Sequence, residues 1–503
     1  MRLEDVVAVA RGDRVDLASS AASRIDAARE VVRAKAAAGE TVYGVTTGFG
    51  SLADVRISTD ETAELQHAIL RSHATSVGRP LAREEARAML LLRAHVLALG
   101  HSGVRRAVVD RMVELLNLDL VPVVPERGSL GASGDLAPLA ALALPLIGGG
   151  ELIVRGVPTP AAKALRAAGL EPLRLVEKEG LALVNGTQGM MSVGILAAER
   201  VRRLCRAVDV AAAMSVEAAL GTDRAFDERL QSLRPHAGQA ASAANLRRLL
   251  VGSDIIASHR ESDHLVQDAY SLRCAPQVHG ATRDVLVYAS GVLEVEASSI
   301  SDNPIVLPDG TGEGEVVSGG NFHGQPVAVA LDALALAIVG TASIAERRLY
   351  RLLDPSTSHG LPAFLVRESG ANSGFMLAQY TAASLVSECK SLAHPASVDS
   401  IPSSAGQEDH VSMGMTAARH AREVVEAAEL VVAIEALAAA QALDLRSPME
   451  PAPGTRAARD AVRTAVPFLD RDRELRPDIE AAAHLVRGGG LVETVEAAIG
   501  SLD

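Results

Sequence analysis

From Met415 to Leu445 the chain contains neither proline nor glycine, and it meets a break only at Ser447-Pro448. That uninterrupted run of helix formers predicts one long helix, with the Ser-Pro pair as its end. Two more stretches read the same way. Residues Ile195 to Leu220 put Val201, Leu204, Val208 and Ala211 on one face at three- and four-residue spacing. Pro326 to Tyr350 is interrupted only by Gly340. Some of these helices are nearly apolar all round, as expected of helices that pack against other subunits. Their apolar content is Ala, Leu and Val, with no Trp and only 2% aromatics. Alanine favours helix and lets helices approach closely. The chain is therefore expected to be mainly α, built on a long central helical bundle.

The 503 residues exceed what one simple core holds, so two or three packed regions are expected. Residues 1–195 contain two glycine-rich segments, Tyr43–Gly50 and Gly128–Gly134, and short extended pieces such as Glu151–Val154. They predict a mostly helical N-terminal domain with turns and a few short strands. Residues 196–446 predict the long-helix bundle. Residues 447–503, charged and with several prolines, predict a small helical cap. No internal repeat is visible.

Acidic residues outnumber basic ones, 62 to 49, for a net charge of −13. This argues against a nucleic-acid surface. Cys205, Cys274 and Cys389 are far apart and fit no zinc spacing, and a reducing cytoplasm is the simple expectation. The N-terminal stretch carries acids within its apolar run, unlike a signal peptide. The longest apolar runs are broken by Pro138, Pro145, Asp332 or Glu435, so no bilayer span and no membrane partner are expected. No motif for a nucleotide, a metal or pyridoxal phosphate is present.

Chemistry concentrates in Gly128–Ala140, GSLGASGDLAPLA. If the chain bends tightly at Ala132-Ser133-Gly134, the Gly134 amide nitrogen can attack the Ala132 carbonyl carbon. Loss of two waters, one from the Ser133 hydroxyl, then yields 4-methylidene-imidazol-5-one (MIO), a strong electrophile. Gly134 has no Cβ to hinder its nitrogen, Ala132 is small, and Gly131 frees the turn. The same residues also make an ordinary turn, with Asp135 as N-cap of a helix from about Leu136. The longer string resembles the signature of the aromatic amino acid ammonia-lyase and aminomutase family, and other blocks agree from about Tyr43 to about Leu443. The resemblance implies an MIO group made from Ala132, Ser133 and Gly134. It also implies a homotetramer whose active sites draw on three subunits.

Such an electrophile suits removal of ammonia by β-elimination. A barely acidic Cβ–H must be broken and a poor leaving group helped away. A base and a carboxylate clamp are then needed. Tyr43, in YGVTTGFG, can serve as base if its pKa is lowered; the block resembles the family's tyrosine loop, which implies that role. In VQDAYSLRCAPQVHG, Arg273 is a natural bidentate clamp. Tyr270 lies three residues earlier and Gln267 three before that, one face if the segment is helical. The resemblance implies that Arg273 holds the substrate carboxylate and that Tyr270 assists the amine. His279 stands where relatives are expected to be less polar. Asn185 in ALVNGTQ, Asn303 in SDNP and Phe322 in GGNFHGQP also match. They imply polar contacts from the two asparagines and apolar cover for the ring from Phe322.

Two positions bear on the substrate side chain. Ser72-His73 and Glu408, in GQEDHVSM, both resemble the histidine-acting branch, where phenylalanine- and tyrosine-acting relatives carry Gln at the second place. An imidazole N–H can pair with a carboxylate and a second His, whereas a phenyl ring leaves a buried Glu408 unpaired at roughly 1–3 kcal/mol or more. The implied reaction is L-histidine to trans-urocanate and ammonia, with either the amine or the imidazole attacking the ring. Thr75, Ser76 and Tyr380 depart from that branch, Tyr380 towards the aminomutases. The alternatives are a tyrosine or phenylalanine ammonia-lyase, a 2,3-aminomutase, or a relative that only binds metabolites.

Overall fold

The computed structural model describes residues 1–44, 47, 59–261, 266–310 and 313–503. It is mainly α, with twenty α-helices and seven short strands among those residues. The long helices run over Gln188–Ala218, Ala275–Ala297, Gln325–Leu353 and Gly414–Leu445. The first begins ahead of Ile195 because Met190, Met191 and Val193 are already buried. The expected strand Glu151–Val154 is present.

The chain folds into two compact units. The first comprises Met1–Leu196, Ser290–Asp332 and Pro395–Arg419; the second comprises Ala197–Ala289, Ala333–His394 and His420–Asp503. All seven strands lie in the first unit, in three small antiparallel sheets. Val77–Pro80 pairs with Pro125–Arg127, and Ile305–Leu307 with Glu315–Val317. Glu151–Val154 lies between Val121–Pro122 and Val157–Pro160. Its hairpin turns at Arg155-Gly156, both at positive φ (50° and 82°), the twist that matches right-handed strands. The Arg83–Ala98 helix is buried over most of its length and carries Arg93 into the interior.

In the second unit the segment from Ala421 to Leu443 is buried on every side, which its Ala and Val content permits. Its buried glutamates and its glutamine are paired. Glu429 meets Arg200 at 2.6 Å and Glu435 meets Arg348 at 2.5 Å. The Gln441 amide bridges the Leu365 carbonyl (3.1 Å) and the Leu469 N–H (3.0 Å). The C-terminal helices Pro453–Ala465, Arg476–Gly488 and Gly490–Ile499 pack on one another. Large apolar side chains stay uncovered on this unit's helices, among them Val287, Leu336, Leu377 and Tyr380.

One expectation needs correcting. Asp332 does not disqualify Gln325–Leu353 as an apolar helix of bilayer length, since an 18-residue window within it reaches a mean hydropathy of 2.1. About 56% of that window is buried within the protein, as a core helix would be.

Candidate active site

The Gly128–Gly134 segment folds into a tight turn of the first unit. Gly131, Ser133 and Gly134 all have positive φ, at 82°, 49° and 78°. Glycine adopts such angles freely, while a serine there is strained by roughly 1–2 kcal/mol. Gly131 bridges to Gly134, and Gly134 to Gly186. The Asp135 N–H donates to the Gly186 carbonyl at 2.8 Å. A Cβ on Gly134 would sit 2.1 Å from that same oxygen. A Cβ on Gly131 would sit 2.3 Å from Ser412 Oγ. Both glycines are therefore required by close approach, and Ala132 between them is buried.

Side chains converge on the serine. Ser133 Oγ donates to Asn185 Oδ1 at 2.6 Å. Asn185 follows the Glu179–Val184 helix and donates through Nδ2 to the Asn303 carbonyl at 2.7 Å. Asn303 Oδ1 accepts from the Gly319 N–H at 2.8 Å, which ties it to the turn bearing Phe322. Buried Arg93 holds the other side, donating to the Asn185 carbonyl and, at 2.8 Å, to Gln188 Oε1. Burial lowers its pKa to about 10. An unhindered glycine, a small buried alanine and a serine with its hydroxyl held fit the tripeptide that ring formation needs.

Asp135 departs from its expected role. It occupies the N-cap position of the Leu136–Ala143 helix, but its side chain makes no cap there. Its carboxylate accepts from the Met190 N–H and from Ser129 Oγ, each at 2.7 Å. It therefore caps the Gln188–Ala218 helix. Full burial raises its pKa to about 6. Sequence reasoning missed this because the partner lies far along the chain.

Tyr43 is half-buried in a turn of the same unit. Gly44 beside it packs on the Glu179–Val184 helix, where an added Cβ would meet Leu181 Cδ2 at 2.1 Å. A cavity of about 390 Å³ is lined by Tyr43 together with Lys35, Pro304, Val316 and Ser318. The tyrosine loop beyond Gly44, apart from Thr47, lies outside the described residues.

His73 ends the Thr59–His73 helix, with Nδ1 3.0 Å from Ser72 Oγ. Burial lowers its pKa, and Glu408 is near enough to pull the other way. Glu408 is half-exposed rather than buried, and its carboxylate accepts from Ser403 Oγ at 2.7 Å. That bond closes the loop it sits on, reinforced by Ser403 N–H donating to the Glu408 carbonyl at 2.9 Å. The loop's far end is tied to the Gly128–Gly134 turn, for the Met413 N–H donates to the Leu130 carbonyl at 3.3 Å. Thr75 donates back to the His73 carbonyl, and Ser76 backs onto Gly128. Phe322 is half-buried in a turn whose Gly324 abuts Met190 and Ser412. His323 stacks on His410 at 5.8 Å, a pairing between distant residues that no local motif signals.

The second unit holds the remaining candidates. Tyr270–Arg273 forms a single helical turn, and the Arg273 guanidinium lies 4.7 Å from the Tyr270 ring centroid. Gln267 does not continue that face, because Ala269 is extended and the helix begins only at Tyr270. Arg273 Nε donates to the Asp268 carbonyl at 2.9 Å, and the Asp268 carboxylate accepts from the Thr222 N–H at 2.7 Å. Tyr270 is 71% exposed. His279 gains a role: Nδ1 donates to Asp209 at 2.7 Å, and Nε2 faces Arg348 Nη1 at 3.3 Å. A carboxylate on one side and a guanidinium on the other require the neutral Nδ1–H tautomer.

The family model for aromatic amino acid lyases matches residues 1–464. Over the whole chain the sequence is 54% identical to the histidine ammonia-lyase of Symbiobacterium thermophilum, of which the match covers 98%. Histidine ammonia-lyase from Trypanosoma cruzi superposes with a TM-score of 0.91 at 42% identity, over 99% of this chain and 94% of that one. Tyrosine aminomutase from Streptomyces globisporus superposes with a TM-score of 0.94 at 38% identity, over 100% and 98%.

Proposed function

The chain belongs to the aromatic amino acid lyase family, and from that premise we propose that it eliminates ammonia from L-histidine to give trans-urocanate, using an MIO ring made from Ala132, Ser133 and Gly134. One observation carries this reading: the Ser133 hydroxyl is held by Asn185 at 2.6 Å in a turn that admits no Cβ at Gly134. The near-full-length identity to proteins named for histidine supports the choice of substrate.

The ring, once formed, supplies an electrophilic methylidene for the substrate to add to and so helps the amine leave. The protein does the rest. Tyr43 takes the β-proton as the Cα–N bond breaks. Arg273 holds the carboxylate through its planar fork, steadied by its own bond to the Asp268 carbonyl. Tyr270, stacked under that guanidinium, assists the amine, and Gln267 contacts substrate from the preceding bend. Asn185 and Asn303 keep polar contact at the ring while Phe322 covers it from water. His73 and Glu408 orient the imidazole; a site built for an N–H rejects a ring lacking it far more strongly than apolar contacts do.

The same reading gives a homotetramer with shared active sites. The uncovered Val287, Leu336, Leu377 and Tyr380 side chains support it, since a monomer rarely leaves such a set in water. It also gives a cytoplasmic enzyme without pyridoxal phosphate, nucleotide or metal.

The test is incubation of the purified protein with L-histidine, L-tyrosine and L-phenylalanine separately. Absorbance of each unsaturated acid is followed, with Ser133→Ala as control. Urocanate from histidine alone, lost in the variant, is the expected result. Turnover of tyrosine with a β-amino acid product would favour instead the 2,3-aminomutase reading, to which the likeness to tyrosine aminomutase points. Sedimentation of the same sample gives the oligomeric state.

A further inference from the structure

The ring-forming serine is the end of a hydrogen-bonded chain that starts at a buried ion pair. Lys178 Nζ and Asp302 Oδ2 lie 2.9 Å apart, and both side chains are fully buried. The other Asp302 oxygen, Oδ1, accepts from the Asn303 N–H at 2.8 Å. The Asn303 carbonyl accepts from Asn185 Nδ2, and Asn185 Oδ1 accepts from Ser133 Oγ. Every link is 2.9 Å or shorter.

The direction of this chain is fixed by its chemistry. A main-chain carbonyl can only accept, so the Asn185 amide must turn its NH₂ towards Asn303. Its oxygen then faces Ser133, and the serine proton points at Asn185. The serine oxygen keeps its free lone pairs for the proton that must accompany it when it leaves. Were the Asn303 carbonyl displaced, the amide could flip and offer N–H to Ser133 instead. The ion pair is a costly way to hold a backbone, since two buried charges lose their hydration. Arg93, a second buried cation, already grips the Asn185 carbonyl but does nothing to orient its amide.

We infer that Lys178 and Asp302 are positioning residues for ring formation, fixing the Asn303 carbonyl and, through it, the Asn185 amide on Ser133. Neither touches the reacting atoms. Cyclisation joins Gly134 N to the Ala132 carbonyl carbon. One water leaves with that carbonyl oxygen and the Gly134 and Ser133 amide hydrogens. The second leaves with Ser133 Oγ, its own hydrogen and the Ser133 Cα hydrogen. The pair orients the group lost in the second step. This inference rests on the ring reading above.

The test is the mass of the peptide spanning Ala132–Gly134 in the full chain, taken at intervals after translation is stopped. Three variants are compared with the wild type. Asp302→Asn is isosteric. Lys178→Met with Asp302→Asn removes both members of the pair, leaves the local net charge unchanged, and carries the test if a single variant does not fold. His279→Gln, in the second unit, controls for lowered stability. Loss of two waters slowed at least about tenfold in the soluble, folded Asp302→Asn and double variants, but not in His279→Gln, is expected. Wild-type rates in the double variant, or equal slowing in His279→Gln, would overturn the inference. If the wild type itself never loses two waters, the ring reading fails instead.

Discussion

The Asp135 carboxylate, which stands at the head of one helix, accepts its 2.7 Å hydrogen bond from Met190 at the head of another. The residue after Ala132-Ser133-Gly134 thereby anchors the turn to the Gln188–Ala218 helix, the element that directly follows Asn185 and Gly186. Turn and asparagine are held in one frame.

Asp135 should make stability depend on pH in a definite sense. Burial raises its pKa from 3.8 to about 6, so the native state binds the proton more readily than the unfolded chain. Stability contributed by this group is full below about 3.8 and is lost as pH rises to about 6. The difference is at most roughly 3 kcal/mol. Chemical denaturation of wild type and Asp135→Asn from pH 4 to 7 measures it. The wild type should lose ground against the variant as pH rises through that window.

His279 acts in the opposite direction. Burial lowers its pKa, so the unfolded chain binds the proton more readily. Its contribution is intact above about 6.5, the ordinary histidine value, and is lost as pH falls below it. In His279→Gln the decline in unfolding free energy between pH 6.5 and 5 should be shallower than in the wild type, by up to about 1.4 kcal/mol per pH unit.

Arg348→Met should destabilise by about 3–5 kcal/mol, because it strands the fully buried Glu435 carboxylate. Removing both charges in Arg348→Met/Glu435→Leu should recover most of that. Urea midpoints of the two variants give the comparison.

Gly134→Ala should fold, if at all, without the ring. Its Cβ has no room beside the Gly186 carbonyl, so the turn must open. Peptide mass should show both waters retained, and urocanate formation should fall to the level of Ser133→Ala.

Glu408→Gln should lower kcat/KM for histidine by roughly ten- to a hundredfold, the scale of one lost charge-assisted hydrogen bond. Because Glu408 also accepts from Ser403, Ser403→Ala serves as control for the loop alone and should cost less. Steady-state kinetics on the three amino acids decides it.

Much of the architecture was legible because it is locally encoded. Helices free of Pro and Gly beyond their first residue, such as Gly414–Leu445, announce their own limits, and the Glu151–Val154 strand is flanked by glycines. What stayed hidden depends on partners distant in sequence. Nothing near Asp135 points to Met190, and nothing near His279 points to Asp209 or Arg348. Local spacing also misplaced Gln267, where an extended Ala269 interrupts the helical phase. The Lys178–Asp302 pair carries no sequence signal at all, since a lysine and an aspartate so far apart ordinarily face water.

Order of synthesis adds a last consequence. Gly131 lies against Ser412, the Leu130 carbonyl against the Met413 amide, and Gly134 against Gly186. At ~5–20 residues per second, Met413 leaves the ribosome on the order of tens of seconds after Gly134. The tripeptide therefore waits in a nascent chain that lacks the walls of its own mould. A fragment ending before Ser412 would lack the contacts that close on Gly131 and Leu130.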